Sequence, residues 1–326
     1  MKICSHSTHL KQQWSKSISV ADSVRLALAN PDSPLKKSYD NTYHCASVKH
    51  YLGDKMKTTY CKNRWCRVCN RIRTAVNIQN YGPAIAGLVD AYFVTLTRRT
   101  VWEDSLESQI EEMENIWRII YKITKDKRKK PFKDGIYLKG IRSMECTVSK
   151  DGRYHYHFHL IVEGKENAEW LKSEWLKRNN NSVEAAQDIR PADKGAIIEV
   201  LKYSVKMSVG LDKTGNYQKY DKIFQALRGK RTTVAFGGLK AAKIDDEDFQ
   251  TEAQSVSAEL KMKLGDEPSL WVWNQEVYDW VNPNSGELLI DEPLPDRIMN
   301  YVKPSKENKP PKIPKISSHN CDEFTI

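Results

Sequence analysis

A chain of 326 residues with 40% hydrophobic content, nine tryptophans and a formal charge of +10 is long enough for one large or two moderate domains with a real core. That composition excludes wholesale disorder, and the basic balance fits a polyanionic partner. No apolar run approaches the length of a membrane span, and the opening Met1-Lys2-Ile3-Cys4-Ser5-His6 lacks an apolar signal core, so a cytoplasmic protein with no membrane contact is expected.

Residues 1–40 read as a polar segment with a short helix near Val20 to Ala29, broken by Pro31 and Pro34. A cysteine-rich module over 41–75 follows. In a cytoplasmic chain, clustered cysteines point to thiols or metal rather than disulfides. Cys66-Arg67-Val68-Cys69 has knuckle spacing, and Cys61 and Cys45 complete a four-thiolate Zn²⁺ set, with His44 or His50 as alternatives to Cys45. The cluster sits among Lys62, Arg64, Arg67, Arg71 and Arg73, a basic group placed either to contact DNA phosphates or simply to be solvated.

Tyr92 to Thr97 is a first strand, rich in β-branched and aromatic residues. Leu106, Ile110, Met113, Trp117 and Ile120 then recur at four and three, an amphipathic helix of about five turns. Lys125 to Lys133, which contains Lys127 and Arg128, reads as a basic loop, again either solvated or set against a DNA backbone.

Next come two strands, Ile141 to Val148 and Tyr154 to Val162, joined by a turn with an Asp151-Gly152 signal. Successive side chains of a strand point to opposite faces, so His155, His157 and His159 line one face and Tyr156, Phe158, Leu160 and Val162 fill the core behind them. Three imidazoles in register predict a divalent metal site. Hairpin register decides whether Glu145 joins it. A two-residue loop turns Met144, Cys146 and Val148 toward the histidines; a three-residue loop, Lys150 to Gly152 or Asp151 to Arg153, sets Glu145 opposite His157 or His159. The odd loop is expected, because it explains an acid in a strand whose other face is apolar. Two histidines and a carboxylate leave coordination positions open, and the mixed donors suit Mn²⁺ or Mg²⁺.

A helix with Trp170 and Trp175 precedes a second, read over Ala196 to Met207 from Ile198, Leu201, Val205 and Val209. On that helix Glu199, Tyr203 and Lys206 share a polar face. Beside a metal strand, Tyr203 becomes a candidate nucleophile that needs a polarised phosphate and a nearby cation, Lys206 or Lys202. The order strand, helix, hairpin, helix suits an α+β architecture, an antiparallel sheet with helices packed on it. These elements occupy 76–210. Over 211–300 lie Lys230 and Arg231 in a basic strand and turn, and a satellite core of Trp271, Trp273 and Trp280; 301–326 is a Lys/Pro-rich tail.

The chain resembles a known family at this point. His157-Phe158-His159 is similar to the motif of HUH endonucleases, and the larger pattern resembles the rolling-circle replication initiators of small bacterial plasmids. Phe93-Val94-Thr95-Leu96-Thr97 is similar to that family's first motif, His155 to Leu160 to its second, and Glu199 to Lys206 to its third. Tyr156 stands where the family often has proline, at a position facing away from the histidines. The resemblance implies an HUH-like fold and a nickase that makes a 5′-phosphotyrosine link through Tyr203 and leaves a free 3′-hydroxyl for a host polymerase. It implies metal ligands His157, His159 and Glu145, with His155 as a further candidate. Glu199 falls in the position used by initiators that lack a second tyrosine. The implied partners are plasmid double-strand origin DNA, single-stranded or extruded at the nick, and host helicase and polymerase. A single-tyrosine transposase, or a non-enzymatic zinc-dependent DNA-binding regulator, are the rival readings.

Overall fold

The computed structural model describes residues 6–53, 55–129, 136–202, 216–242, 254–256 and 258–303. The first half of the chain runs α1 (His6–Ala29), α2 (Lys36–Tyr43), β1 (Val48–Tyr51), β2 (Lys55–Thr58), α3 (Arg67–Ala86), β3 (Ala91–Thr97), α4 (Leu106–Lys129), β4 (Gly140–Val148) and β5 (Tyr154–Glu163). The remainder runs α5 (Lys165–Arg178), β6 (Asp188–Pro191), α6 (Lys194–Leu201), α7 (Tyr217–Ala226), β7 (Thr233–Phe236), β8 (Gln254–Ser255), α8 (Ala258–Leu264), β9 (Ser269–Asn274), β10 (Asp279–Val281) and α9 (Asp296–Val302). No helix among the described residues is long and apolar enough to cross a membrane.

Two five-stranded sheets carry the architecture, ordered β6-β3-β5-β4-β7 and β10-β9-β1-β2-β8. Every strand pair named in them is antiparallel, as the mixed α+β expectation requires. In the first sheet β5 is central and buried on both faces. Tyr154, Tyr156, Phe158, Leu160 and Val162 pack with Val94, Leu96 and Met144 against Trp117 of α4 and Trp175 of α5. On the opposite face Ile161 joins Phe93 and Ile141 beneath Ile85 of α3 and Val200 and Leu201 of α6. Because His159 alternates with Leu160 as Ile161 does, α6 and the histidines share that face.

The β4–β5 turn is the odd one. Ser149 N–H donates to Arg153 O at 2.8 Å and Gly152 N–H to Ser149 O at 2.9 Å, enclosing Lys150, Asp151 and Gly152. Gly152 sits at φ +83, the left-handed position that closes a three-residue hairpin. Glu145 is therefore paired with His157.

Three elements depart from the sequence expectation. First, the polar N-terminal segment is a 24-residue helix, and Gln13, Lys16, Ser17, Ser19, Asp22 and Ser23 along it are buried. Their groups are bonded: Ser17 donates to Gln13 O at 2.9 Å, Ser23 to Val20 O at 2.8 Å, and Lys16 Nζ to Tyr43 O and Cys45 O at 2.7 Å each. Polar composition therefore concealed a core position, since satisfied polar groups can be buried. Second, α4 continues through Lys129, so Lys127 and Arg128 belong to a helix and not to a loop. Lysine and arginine are good helix formers and are favoured by the dipole at a C-terminus. Third, the satellite core of Trp271 and Trp280 is shared with Tyr51 and Met56 of the β1–β2 hairpin, so residues beyond 250 complete a sheet begun near residue 48.

One buried polar group on the apolar face of the first sheet carries a measurable cost. Arg142 stacks over Phe158 at 4.3 Å and donates to Glu114 Oε2 at 3.0 Å, while Tyr156 donates to Glu114 Oε1 at 3.2 Å. Removing one partner of a buried pair strands the other charge. Glu114→Ala is expected to cost about 3 kcal/mol in urea unfolding; a change below about 1 kcal/mol would show that Arg142 finds its compensation elsewhere.

Candidate metal centre

Glu145 on β4 and His157 and His159 on β5 bring three donor atoms together, all within 4.8 Å of one another. His157 Nε2 lies 3.0 Å from His159 Nε2, and both approach Glu145 Oε2, at 3.3 and 3.1 Å. Glu145 and His157 are buried, His159 half-buried. The outer ring nitrogens are occupied. His157 Nδ1 is 3.3 Å from His155 O, where only an N–H can serve, and His159 Nδ1 is 3.2 Å from Thr95 Oγ1. With Nδ1–H donating in both rings, each Nε2 presents a lone pair to the same spot, the tautomer a metal needs. Two lone pairs and a carboxylate oxygen converging in a buried place fit a divalent cation. Phe93 backs the centre, stacked on His159 at 5.3 Å and itself covered by Arg190 at 4.4 Å.

His155 points to the same face but is outside the converging group. It stacks on His157 at 4.8 Å, and burial, then the His157 charge, pulls its pKa down to about 4. Thr95 escaped the sequence reading. Alternation along Tyr92 to Thr97 places it on one of two faces, and only its pairing with His159 shows that the face is this one.

The helix expected over Ala196 to Met207 is corrected. α6 begins earlier, capped by Asp193, whose Oδ1 accepts from Ala196 N–H at 2.6 Å, and ends at Leu201, with Lys202 extended at φ −61, ψ 145. Tyrosine, serine and valine after Lys202 are weak helix formers, and nothing in so short a helix offsets them. Ile198, read as apolar-face, is 41% exposed, while Ala196, Val200 and Leu201 are buried. The continuous helical face joining Glu199 to Tyr203 and Lys206 therefore does not form. Glu199 is half-buried on α6; Tyr203 and Lys206 lie outside the described residues.

Cys45, Cys61, Cys66 and Cys69 form a second group that could bind metal. Cys45 occupies the fourth place; His44 and His50 are exposed. Sγ separations of 3.6 Å (Cys45–Cys69) and 3.7 Å (Cys61–Cys69) exclude a disulfide. They match the edge of a tetrahedron around Zn²⁺, about 3.8 Å for a Zn–S bond of about 2.3 Å. Cys66 precedes the first turn of α3 and Cys69 lies in it, so one helix start positions two thiols. From α1, Ser19 Oγ stands 3.8 Å from Cys66 Sγ and accepts from Arg67 N–H at 3.0 Å. Lys16 is the other α1 contribution. Burial pulls its ammonium down to about 8 against the opposing pull of Cys45, Cys66 and Cys61.

The basic residues near this cluster divide by their partners. Arg67 is paired with Asp22 at 3.0 Å, tying α3 to α1. Arg71 is half-buried. Arg64 donates to Leu227 O at 3.0 Å, while Arg231 is exposed and Lys230 half-buried on the turn before β7.

An antiparallel sheet whose central strand carries a Glu/His/His group, attached to a basic cysteine cluster, defines a protein with two candidate cation sites and a cationic surface. The model of the replication protein family Rep_1 matches residues 54–281, and the chain belongs to that family. It is 26% identical over 285 residues to a protein named Protein rep of Lentilactobacillus hilgardii, covering 74% of this chain and 87% of that one. A Protein rep of Staphylococcus aureus is 26% identical over 194 residues, 50% of this chain and 80% of its own. No solved structure matches significantly. These matches support a plasmid replication initiator.

Proposed function

We propose that the chain is a sequence-specific DNA nicking-closing enzyme of the HUH type that initiates rolling-circle replication of a plasmid. The observation that carries the reading is the convergence of His157 Nε2, His159 Nε2 and Glu145 Oε2, with tautomers set for metal, in a chain of the replication protein family. These residues would hold Mn²⁺ or Mg²⁺, and the cysteine group Zn²⁺. A divalent cation at the first site supplies Lewis-acid polarisation of a phosphate oxygen.

Tyr203 is assigned as the nucleophile. It follows α6 by two residues, and α6 packs on the face of the sheet that carries the histidines. Its phenolic oxygen attacks the scissile phosphorus, a tyrosine O–P bond forms, and the bond from phosphorus to the 3′-oxygen breaks. The phenol proton goes to solvent and the 3′-oxygen leaves as a hydroxyl, so one phosphodiester is exchanged for another. Lys206 or Lys202 stabilises the phenolate. Joining the tyrosine to a second 3′-hydroxyl reverses the exchange. The strand is single or extruded where it is cut, and the free 3′-hydroxyl primes a host polymerase behind a host helicase. The charge of +10 and the basic residues Arg64, Arg67, Arg71, Lys127, Arg128, Lys230 and Arg231 supply candidate DNA contacts, Arg67 with the smallest share because of Asp22.

The test is nicking of supercoiled DNA that carries the adjacent origin. Activity is expected to stop in chelator and to return with Mn²⁺ or Mg²⁺. Nicking that persists through exhaustive chelation would remove the metal centre from the reaction. Origin binding without cleavage under any divalent metal would leave a DNA-binding regulator. Glu199 is assigned to the end of the round, as general base for a water that makes the second cut hydrolytic. Glu199→Ala is expected to nick normally and to accumulate multimeric displaced strands; unit-length circles at wild-type yield would reduce Glu199 to a structural side chain of α6.

A further inference from the structure

The cysteine cluster and the end of α7 meet, through residues 163 positions apart, at a groove of about 220 Å³. Lys62, Asn63 and Arg64 reach it from the loop between Cys61 and Cys66, and Arg228 and Gly229 from the turn after α7. No carboxylate lines it. Trp65 also lines it, stacked on Phe224 at 4.6 Å with 24° between the rings and edge-on to Tyr39 at 5.8 Å. The loop is held in place and not merely exposed. Arg64 Nη1 donates to Leu227 O at 3.0 Å, satisfying a carbonyl at the α7 C-terminus. Lys62 is kept at φ +59, a left-handed conformation a lysine holds only when its surroundings impose it, and Arg73 donates to its carbonyl.

The groove also lies next to the metal centre. The turn that carries Arg228 and Gly229 runs into β7, where Thr232 O accepts from Met144 N–H at 2.9 Å and Thr233 pairs with Ser143. Glu145 is the next residue after Met144. Three residues separate Gly229 from Thr232, on the order of 10 Å of extended chain.

We infer that this groove receives one unpaired nucleotide of the DNA strand that the metal centre cuts, the base against the Trp65 indole and its phosphate between Lys62 and Arg228. The inference rests on the nickase reading for the identity of the strand. An aromatic wall with a cationic rim is how proteins hold single strands, and the volume admits one nucleotide and excludes a duplex. The role also explains why a cysteine cluster is built beside a sheet-borne metal centre: the cluster fixes one wall of the groove, and the β4–β7 pairing fixes the other relative to Glu145.

The probe is a fluorescein-labelled single-stranded (dT)12, titrated by anisotropy at several NaCl concentrations. Lys62→Ala/Arg228→Ala is expected to weaken binding at least about tenfold and to lower the salt slope by about 1.4, two phosphate contacts at about 0.7 each. Both side chains are exposed, so the fold is expected to survive, checked by circular dichroism and zinc content. Should the double variant not fold, Arg228→Gln alone is expected to remove about 0.7 of the slope. With 5-iododeoxyuridine in the strand, photo-crosslinks are expected to map to Trp65. Unchanged affinity and slope, crosslinks confined to other segments, or an equal loss on a 12-base-pair duplex would overturn the pocket. Wild-type nicking is scored separately. A protein that nicks while the variants bind normally loses the pocket alone; one that never nicks while the variants lose affinity loses the nickase reading alone.

Discussion

Tyr203→Phe is expected to abolish nicking and the covalent protein–DNA adduct while origin binding stays within about twofold of wild type. The substitution removes one oxygen and keeps the ring, so packing and any stacking on DNA persist. Nothing else in the proposed scheme can form the phosphotyrosine, which is why the expected loss is several orders of magnitude and not a modest decline. A denaturing gel with labelled origin strand reads the adduct directly. An adduct formed by the Phe variant would move the nucleophile to another residue. Normal binding with no adduct in either protein would instead reject the covalent route. Because α6 ends at Leu201, the assignment no longer rests on a helical face shared with Glu199, which makes this experiment the decisive one for the site.

Removing zinc is expected to damage the fold far more than the chemistry. Four thiols, three of them buried, are packed at separations of 3.6 and 3.7 Å where these are resolved, and without a cation at least some of them must separate or hold protons in a dry site. Metal binding at such a cluster is folding free energy, several kcal/mol at least and about 10–16 kcal/mol in isolated zinc-finger peptides. The cluster joins α1, the β1–β2 hairpin and α3, and the hairpin is the middle of the second sheet, so the loss should spread to β9 and β10. Cys66→Ser or Cys69→Ser is expected to abolish bound zinc and to lower the thermal midpoint sharply, with Trp271 and Trp280 fluorescence reporting the change. Purified wild-type protein with no zinc by elemental analysis, and no change in melting on chelation, would leave the cluster as packed free thiols.

Much of the metal centre was legible in the chain because a strand has a period of two. His155, His157 and His159 in alternation determine their own common face, and the apolar residues between them determine which face is core. Cys66 and Cys69 were legible for a similar reason, since two residues between thiols suit one helix start. The hairpin turn was legible only as a choice between odd and even, and the odd choice, forced by an otherwise isolated acid, sets Glu145 opposite His157. The helix end was misread. The apolar period of Ile198, Leu201, Val205 and Val209 outweighed the weak propensity of the residues after Lys202, whereas the chain gives up helix at Leu201.

The sequence by itself therefore determined which side chains could hold metal and which replication protein motifs accompany them, since both depend on spacing within a single element. Tertiary structure alone decided what meets across elements. It placed Thr95 behind His159, buried a serine-rich helix beside the cysteines, completed the N-terminal sheet with strands from beyond residue 250, and closed a groove between Arg64 and Leu227. The reason is physical. Local periodicity fixes a side chain's direction relative to its own backbone, while the partner it faces is set by register, by satisfied buried hydrogen bonds and by packing between segments far apart in the chain.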